Sequence, residues 1–205
     1  MVRFGIVDYG MGNIRSVVGA IEKIGHSAVV SSDADTLGAC DKLVLPGVGA
    51  FADAMANISA RNLGATLNRL VVEARKPILG ICLGAQLLAR TSSEFGPTDG
   101  LGWIDAAVER IPDAPDVRVP HVGWNGISHV RPSALLDGVP ADALFYFVHS
   151  YRIECRDPQA LVGTCDYGGA FAAVVSKGNV HGTQFHPEKS QRHGLRVLAN
   201  FIERM

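Results

Sequence analysis

The sequence predicts an α/β protein built on a central, mixed but mostly parallel sheet flanked by helices. Three observations carry that prediction. Short apolar runs alternate with helix-like stretches through roughly the first ninety residues, and glycine-bearing turns or a tight elbow follow three of those runs. The second half then changes to short apolar runs separated by turn residues, the pattern of hairpins or a mixed extension of the sheet.

Phe4 to Val7 reads as the first strand, followed by the turn Tyr9-Gly10-Met11-Gly12-Asn13. A helix follows, because Ile14, Val17, Val18, Ile21 and Ile24 share one stripe and Gly25 is suited to close it. Ser27 to Val30 and Lys42 to Leu45 read as the second and third strands, and Pro46-Gly47-Val48-Gly49 as the turn after them. One or two helices are predicted over 51–75, with Leu63, Leu67, Leu70, Val71 and Ala74 as the buried face. A strand over 77–81 and a helix over 83–90 come next. Ala143–Val148, Leu161–Thr164, Phe171–Val175 and Val180–Thr183 are the apolar runs of the second half. A terminal helix from about Ser190 to Arg204 places Leu195, Leu198, Ala199 and Ile202 on one stripe.

Length and composition narrow the function classes. The 205 residues suit one domain, 1–205, with a substantial core, and 47% apolar against 19% charged residues places the chain among globular proteins. A formal net charge of −1 gives no global attraction to nucleic acid or an anionic membrane. No apolar stretch approaches the ~18 residues of a spanning helix, and the amino-terminal apolar run is too short for a secretory leader. Cys40, Cys82, Cys155 and Cys165 are dispersed without a C-x-x-C pair, as expected of a reduced, cytoplasmic protein with neither a disulfide framework nor a metal site. Nucleotide binding is disfavoured, because Arg15 stands where the third glycine of a dinucleotide fingerprint belongs and no phosphate loop of the G-x-x-x-x-G-K-[ST] type occurs.

Chemistry concentrates at two segments. Gly80-Ile81-Cys82-Leu83-Gly84 has the spacing of the nucleophile elbow G-x-S-x-G, with sulfur in place of oxygen. Lone cysteines commonly just pack, so the pentapeptide alone leaves both readings open. Two things favour reaction. Ligands of such sheets bind beyond the carboxyl ends of the strands, where Cys82 and both glycine turns are predicted to gather. A thiol also needs a base, and among seven histidines His186 stands out, in His186-Pro187-Glu188 after a strand and before the last helix. In an extended segment residues two apart share a face, so Glu188 is placed to hold the His186 imidazole. His26, His129 and His193 read as turn or surface histidines, and His121, His149 and His181 as structural ones.

GICLGAQLL and HGTQFHPEKS together resemble the class I, or triad, glutamine amidotransferases. Within them, Asp8–Asn13, Pro46–Phe51, Pro120–Asn125 and Tyr146–Tyr151 resemble the glutaminase subunits of imidazole glycerol phosphate synthase, with the motifs in register over essentially the whole chain. The resemblance implies a catalytic triad of Cys82, His186 and Glu188 that hydrolyses L-glutamine through a γ-glutamyl thioester, with no cofactor and no metal. It implies oxyanion donors from the backbone of Leu83 and of the Val48–Gly49 turn, and substrate contacts at Gly49, Gln86, Ser150 and Tyr151. It further implies ammonia delivery to a (β/α)8-barrel cyclase in a heterodimer, low activity until the partner's substrate binds, and an interface including Asn13, Trp124, Tyr146 and Lys189. For Trp124 and Tyr146, packing in the core is the alternative to an interface. A glutaminase serving another synthase, such as the pyridoxal phosphate system, and a non-catalytic module of the same fold are the rival readings. Two departures stand out: Ala85 where the resemblance implies methionine, and a poorly matching stretch over 91–100.

Overall fold

The computed structural model describes residues 2–205. Strands β1 (Phe4–Val7), β2 (Ala28–Ser31), β3 (Lys42–Gly47) and β4 (Ile78–Cys82) alternate with helices α1 (Ile14–Lys23), α2 (Ala34–Gly38), α3 (Phe51–Ala60), α4 (Leu63–Asn68) and α5 (Leu83–Gln86). Ten further strands follow: β5 (Thr91–Ser92), β6 (Thr98–Asp99), β7 (Ala106–Arg110), β8 (His121–Gly126), β9 (Ser128–His129), β10 (Leu144–His149), β11 (Tyr151–Cys155), β12 (Leu161–Asp166), β13 (Ala170–Lys177) and β14 (Val180–Thr183). Helix α6 (Gln191–Arg204) closes the chain. No helix of the described residues is long and apolar enough to cross a membrane.

The main sheet runs β2-β1-β3-β4-β14-β13-β11-β7-β5-β6, with β12 and β9 branching from β13. Its first five strands pair in parallel, and antiparallel pairing begins at β14–β13. The sequence expectation of a parallel block followed by hairpins therefore holds. Two apolar clusters sandwich the sheet. Tyr9, Leu43, Leu45, Phe51 and Leu67 belong to one, while Phe4, Ile6, Val17, Ile21, Phe145, Phe147, Phe185 and Phe201 belong to the other. A separate antiparallel pair, β8–β10, turns Phe145 and Phe147 into the second cluster.

The strands β5 to β9 and β11 have no counterpart in the sequence expectation, and three helical segments also differ from it. The helix predicted over 83–90 is the single turn α5, because the carbonyls of Leu87, Leu88, Ala89 and Arg90 accept from the N–H groups of Leu101, Ile104, Gly102 and Gly100. A returning segment thus takes the acceptors on which the helix would have propagated. The short α2 has no counterpart in the sequence expectation, although Asp33 caps it by accepting from the Thr36 N–H at 2.8 Å. The helical stretch over 51–75 is α3 and α4 followed by a wider π-turn at Arg69–Glu73.

Parallel pairing brings four strand ends to one edge, with Gly47 directly opposite Cys82 and Thr183 opposite Ile81. The elbow fits there only because its neighbours lack side chains. A Cβ on Gly84 would stand 1.8 Å from the Leu45 carbonyl oxygen, and one on Gly80 2.6 Å from the Gly84 carbonyl oxygen. Ala85 is 1% exposed and lies against Gly80 and Gly182, whose Cβ would fall 3.1 Å from its own. The small residue at 85 thus suits the close seating of α5 on β4 and β14. Gly84→Ala is expected to destabilise the chain by about 3 kcal/mol or more, since backbone must move. Gly19→Ala, in the interior of α1 with open space around it, should instead stabilise by about 0.5–1 kcal/mol. Thermal melts of the two variants check the contrast.

Candidate active site

Cys82 ends β4 and begins α5 with φ +54° and ψ −111°, a left-handed conformation that costs a non-glycine residue about 1–3 kcal/mol. Over-determined by the glycine contacts around it, the residue presents its sulfur to a cavity of about 410 Å³. Cys82 is 6% exposed, and its Sγ lies 3.9 Å from the Val148 carbonyl oxygen and 3.9 Å from Gln184 Nε2.

His186 reaches the same cavity from the loop after β14. The Tyr146 carbonyl accepts from the His186 N–H at 2.9 Å, and Ser190 Oγ donates to the His186 carbonyl at 2.6 Å. Contrary to the extended segment expected from the sequence, Pro187–Lys189 form a 3-10 turn, and that turn carries the Glu188 carboxylate back to the ring. His186 Nδ1 donates to Glu188 Oε1 at 2.7 Å, with both side chains 1% exposed. Burial works to lower the His186 pKa, but the neighbouring Cys82 sulfur and the Glu188 carboxylate outweigh it and push it up to about 9. His186 Nε2 has no hydrogen-bond partner among the described residues. A sulfur, an imidazole and a buried carboxylate in this order have the composition of a nucleophile, base and orienter.

Val48, Gly49, Leu83, Gln86, Ser150, Tyr151 and Lys189 line the cavity together with Cys82 and His186. Glu188 stands behind the imidazole rather than on the cavity wall. Gly49 has φ +106°, and the Leu83 N–H opens α5. Trp124, Tyr146 and Lys189 gather at one place: the two rings are 5.9 Å apart on the outward face of β8–β10, and Lys189 Nζ lies 5.7 Å from the Tyr146 ring centre. Trp124 is 45% exposed, so it is not a core aromatic. Asn13 stands at the start of α1, which packs on the 187–189 turn, and its Oδ1 accepts from Ser16 Oγ.

Two polar members of this cavity, Glu94 and His149, are not among the site residues that the sequence singles out. Glu94 lies in the poorly matching 91–100 stretch, and its Oε2 accepts from the Phe51 N–H at 2.7 Å. It thereby caps α3, whose own N-cap, Ala50, has no acceptor to offer. His149 reads as structural in the sequence, yet it lines the cavity and holds Tyr151 in position. His149 Nδ1 donates to the Tyr151 carbonyl at 2.8 Å, which leaves Nε2 to accept from His121 Nδ1 at 3.0 Å. Gln86 Nε2 donates to the same carbonyl at 2.7 Å and to Gln184 Oε1 at 3.1 Å. The Gln86 amide is thus oriented with its oxygen free to accept from a ligand. No pattern in the sequence flags Glu94, whereas His149 could be sought from its place at a strand end beside Ser150 and Tyr151.

Comparison with known proteins decides the family. Residues 5–205 match the profile of the family described as Glutamine amidotransferase class-I. The chain belongs to the class I glutamine amidotransferases. It is 48% identical over 198 residues to "Imidazole glycerol phosphate synthase subunit HisH" of Moorella thermoacetica, covering 97% of this chain and 93% of that protein. It is 46% identical over 209 residues to "Imidazole glycerol phosphate synthase subunit HisH 2" of Nitrobacter winogradskyi, covering 99% of each. Among solved structures, PurLQS of Thermotoga maritima superposes with a TM-score of 0.74 at 21% identity, over 98% of this chain and 97% of that one. The glutaminase domain of Trypanosoma brucei CTPS gives 0.68 at 16% identity, over 98% and 94%. The fold is accordingly that of class I glutamine amidotransferases, as the resemblance implied.

The buried histidines of this amidotransferase give stability a pH optimum. Burial is the main cause that holds His121 down to about 4, and His149 to about 3. Both are neutral when folded but take up a proton on unfolding below about pH 6.5, so their contribution is present above that pH and is lost as pH falls. His186, raised to about 9, works the other way: its contribution is complete below about 6.5 and is lost as pH rises toward 9. Stability should therefore peak near pH 6.5–7 and fall on the acid side by up to about 1.4 kcal/mol per pH unit per histidine. Denaturant melts from pH 4.5 to 9 check this, with His149→Asn expected to flatten the acid slope.

Proposed function

We propose that this chain is the glutaminase subunit of an imidazole glycerol phosphate synthase in histidine biosynthesis, residues 1–205 acting as one class I glutamine amidotransferase domain in the cytoplasm. The observation that carries this reading is near-complete coverage at 46–48% identity to relatives of that name, in a chain whose cavity joins Cys82 and the His186–Glu188 pair.

L-Glutamine enters with its carboxamide toward Cys82. Its α-ammonium meets Glu94, the one carboxylate among the described residues that line the cavity, and its amino-acid end lies along Gly49, Gln86, Ser150 and Tyr151. Cys82 Sγ attacks the carboxamide carbon, and the oxyanion is held by the Leu83 N–H and an N–H of the Val48–Gly49 turn. His186 delivers its proton to the departing ammonia, while Glu188 fixes the ring and stabilises the imidazolium. A γ-glutamyl thioester remains, and a water deprotonated by His186 releases glutamate. No metal or cofactor takes part.

Ammonia is useful to a synthase only if it stays unprotonated, which favours direct transfer to a docked partner. The outward face of β8–β10 suits that docking. Val122, Trp124 and Leu144 are exposed there beside Tyr146, Val148 continues the patch to the cavity, and Lys189 lies at the rim. The partner is a (β/α)8-barrel cyclase in a heterodimer. It converts a formimino ribonucleotide into imidazole glycerol phosphate and an aminoimidazole carboxamide ribonucleotide, and its substrate raises glutamine turnover.

Glutamate release by the complex should fall about a thousandfold or more in Cys82→Ala and about 10²–10⁴-fold in Glu188→Gln, with KM little changed. The rate should decline as pH rises through about 9, where His186 loses the proton it gives to ammonia. Equal glutamate release with and without the cyclase and its nucleotide would refute the coupled reading. Trp124→Asp should weaken capture of the cyclase at least tenfold without lowering the melting temperature of the free chain, because the ring is half in solvent.

A further inference from the structure

Tyr9, two residues past the end of β1, is fully buried, and its hydroxyl has no hydrogen-bond partner among the described residues. A buried hydroxyl without a partner is destabilising, and a phenylalanine would fill the same space without that cost. The position of this hydroxyl points to its use. A Cβ on Gly47 would lie 2.5 Å from Tyr9 Oη, 2.7 Å from the Gly84 nitrogen and 2.8 Å from Leu83 Cβ. Gly47 is opposite Cys82 in the β3–β4 register, and the Gly47–Val48 peptide follows it into the cavity wall. Tyr9 Oη therefore sits at the junction of the elbow and the turn.

We propose that Tyr9 is a positioning residue for oxyanion binding: its hydroxyl donates to the Gly47 carbonyl when the Gly47–Val48 peptide turns its N–H toward the Cys82 adduct. The two groups of a trans peptide point in opposite directions, so aiming the Val48 N–H into the cavity sends the Gly47 carbonyl toward the protein interior. A carbonyl turned inward needs a donor, and Tyr9 has an unused one within reach of that glycine. The hydroxyl stays protonated throughout, since burial first and the nearby Cys82 second both push its pKa upward. Gly47 has no side chain to obstruct the hydroxyl, and Gly49, at φ +106°, relieves the other end of the turn. Tyr9 touches neither the substrate nor the sulfur in this scheme. It acts through the peptide that does the binding.

The inference rests on the glutaminase reading, and Tyr9→Phe in the complex with the cyclase and its nucleotide tests it separately. The free Tyr9→Phe chain should melt at the same temperature or higher, and Cys82 should be alkylated by iodoacetamide at the parent rate. The kcat for glutamate release should fall about tenfold or more while KM for glutamine stays within twofold, the signature of an interaction made mainly in the transition state. Parent kcat in Tyr9→Phe, with Cys82→Ala inactive, overturns the role of Tyr9 and leaves the nucleophile standing. Full turnover in Cys82→Ala overturns the glutaminase reading itself. A melting temperature several degrees lower in Tyr9→Phe assigns the hydroxyl to folding and also overturns the inference.

Discussion

The close seating of one helical turn on three strands is the constraint from which the site follows. Helix α5 lies so near β3 and β4 that Gly80 and Gly84 have no room for a Cβ, and Gly182 of β14 meets the methyl of Ala85. That approach tightens the strand-to-helix turn until its central residue, Cys82, adopts φ +54°. The strain is held in place by the close packing around the turn, so the sulfur keeps a fixed direction. Loosening the seating would release Cys82 into an ordinary conformation and turn the sulfur away from His186.

Around that fixed sulfur, two kinds of buried histidine are sorted by their partners. His186 has a carboxylate at 2.7 Å and is held positive, whereas His149 has a backbone carbonyl and another neutral histidine and stays uncharged. The difference matters chemically. A protonated ring beside the sulfur suits a proton donor, while a neutral ring holds Tyr151 without adding charge to the cavity. His121 completes the second arrangement, stacked between Phe147 and Tyr167 at centroid distances of 4.8 Å and 3.9 Å. Tyr146 connects the two regions through its backbone, which accepts from the His186 N–H and donates to Ser190 Oγ at 2.9 Å. The Tyr146 strand is thus tied directly to the segment that carries His186.

Much of this was legible in the sequence because it is locally encoded. The elbow is five consecutive residues, and His186 and Glu188 are two apart with a proline to stiffen them. Alternation of strands and helices was enough to gather Cys82 and both glycine turns at one sheet edge. Other features depend on pairings that local pattern does not carry. The helix expected over 83–90 stops after one turn because residues 100–104 take its carbonyls. Glu94 belongs to the cavity because the N–H of Phe51, 43 positions away, needed an acceptor.

What the sequence by itself determined was the α/β class, the candidate nucleophile, its base and orienter, and the family that these motifs mark. The reason is that backbone freedom at glycine and proline, the apolar periods of helix and strand, and the spacing of reactive groups all act over a few residues. Only the tertiary structure decided that Trp124 faces outward beside Tyr146, that Glu94 and His149 complete the cavity, and that Tyr9 buries an unpartnered hydroxyl against Gly47. Those outcomes depend on which strand end meets which loop, and strand register sets that by pairing residues tens of positions apart in the chain.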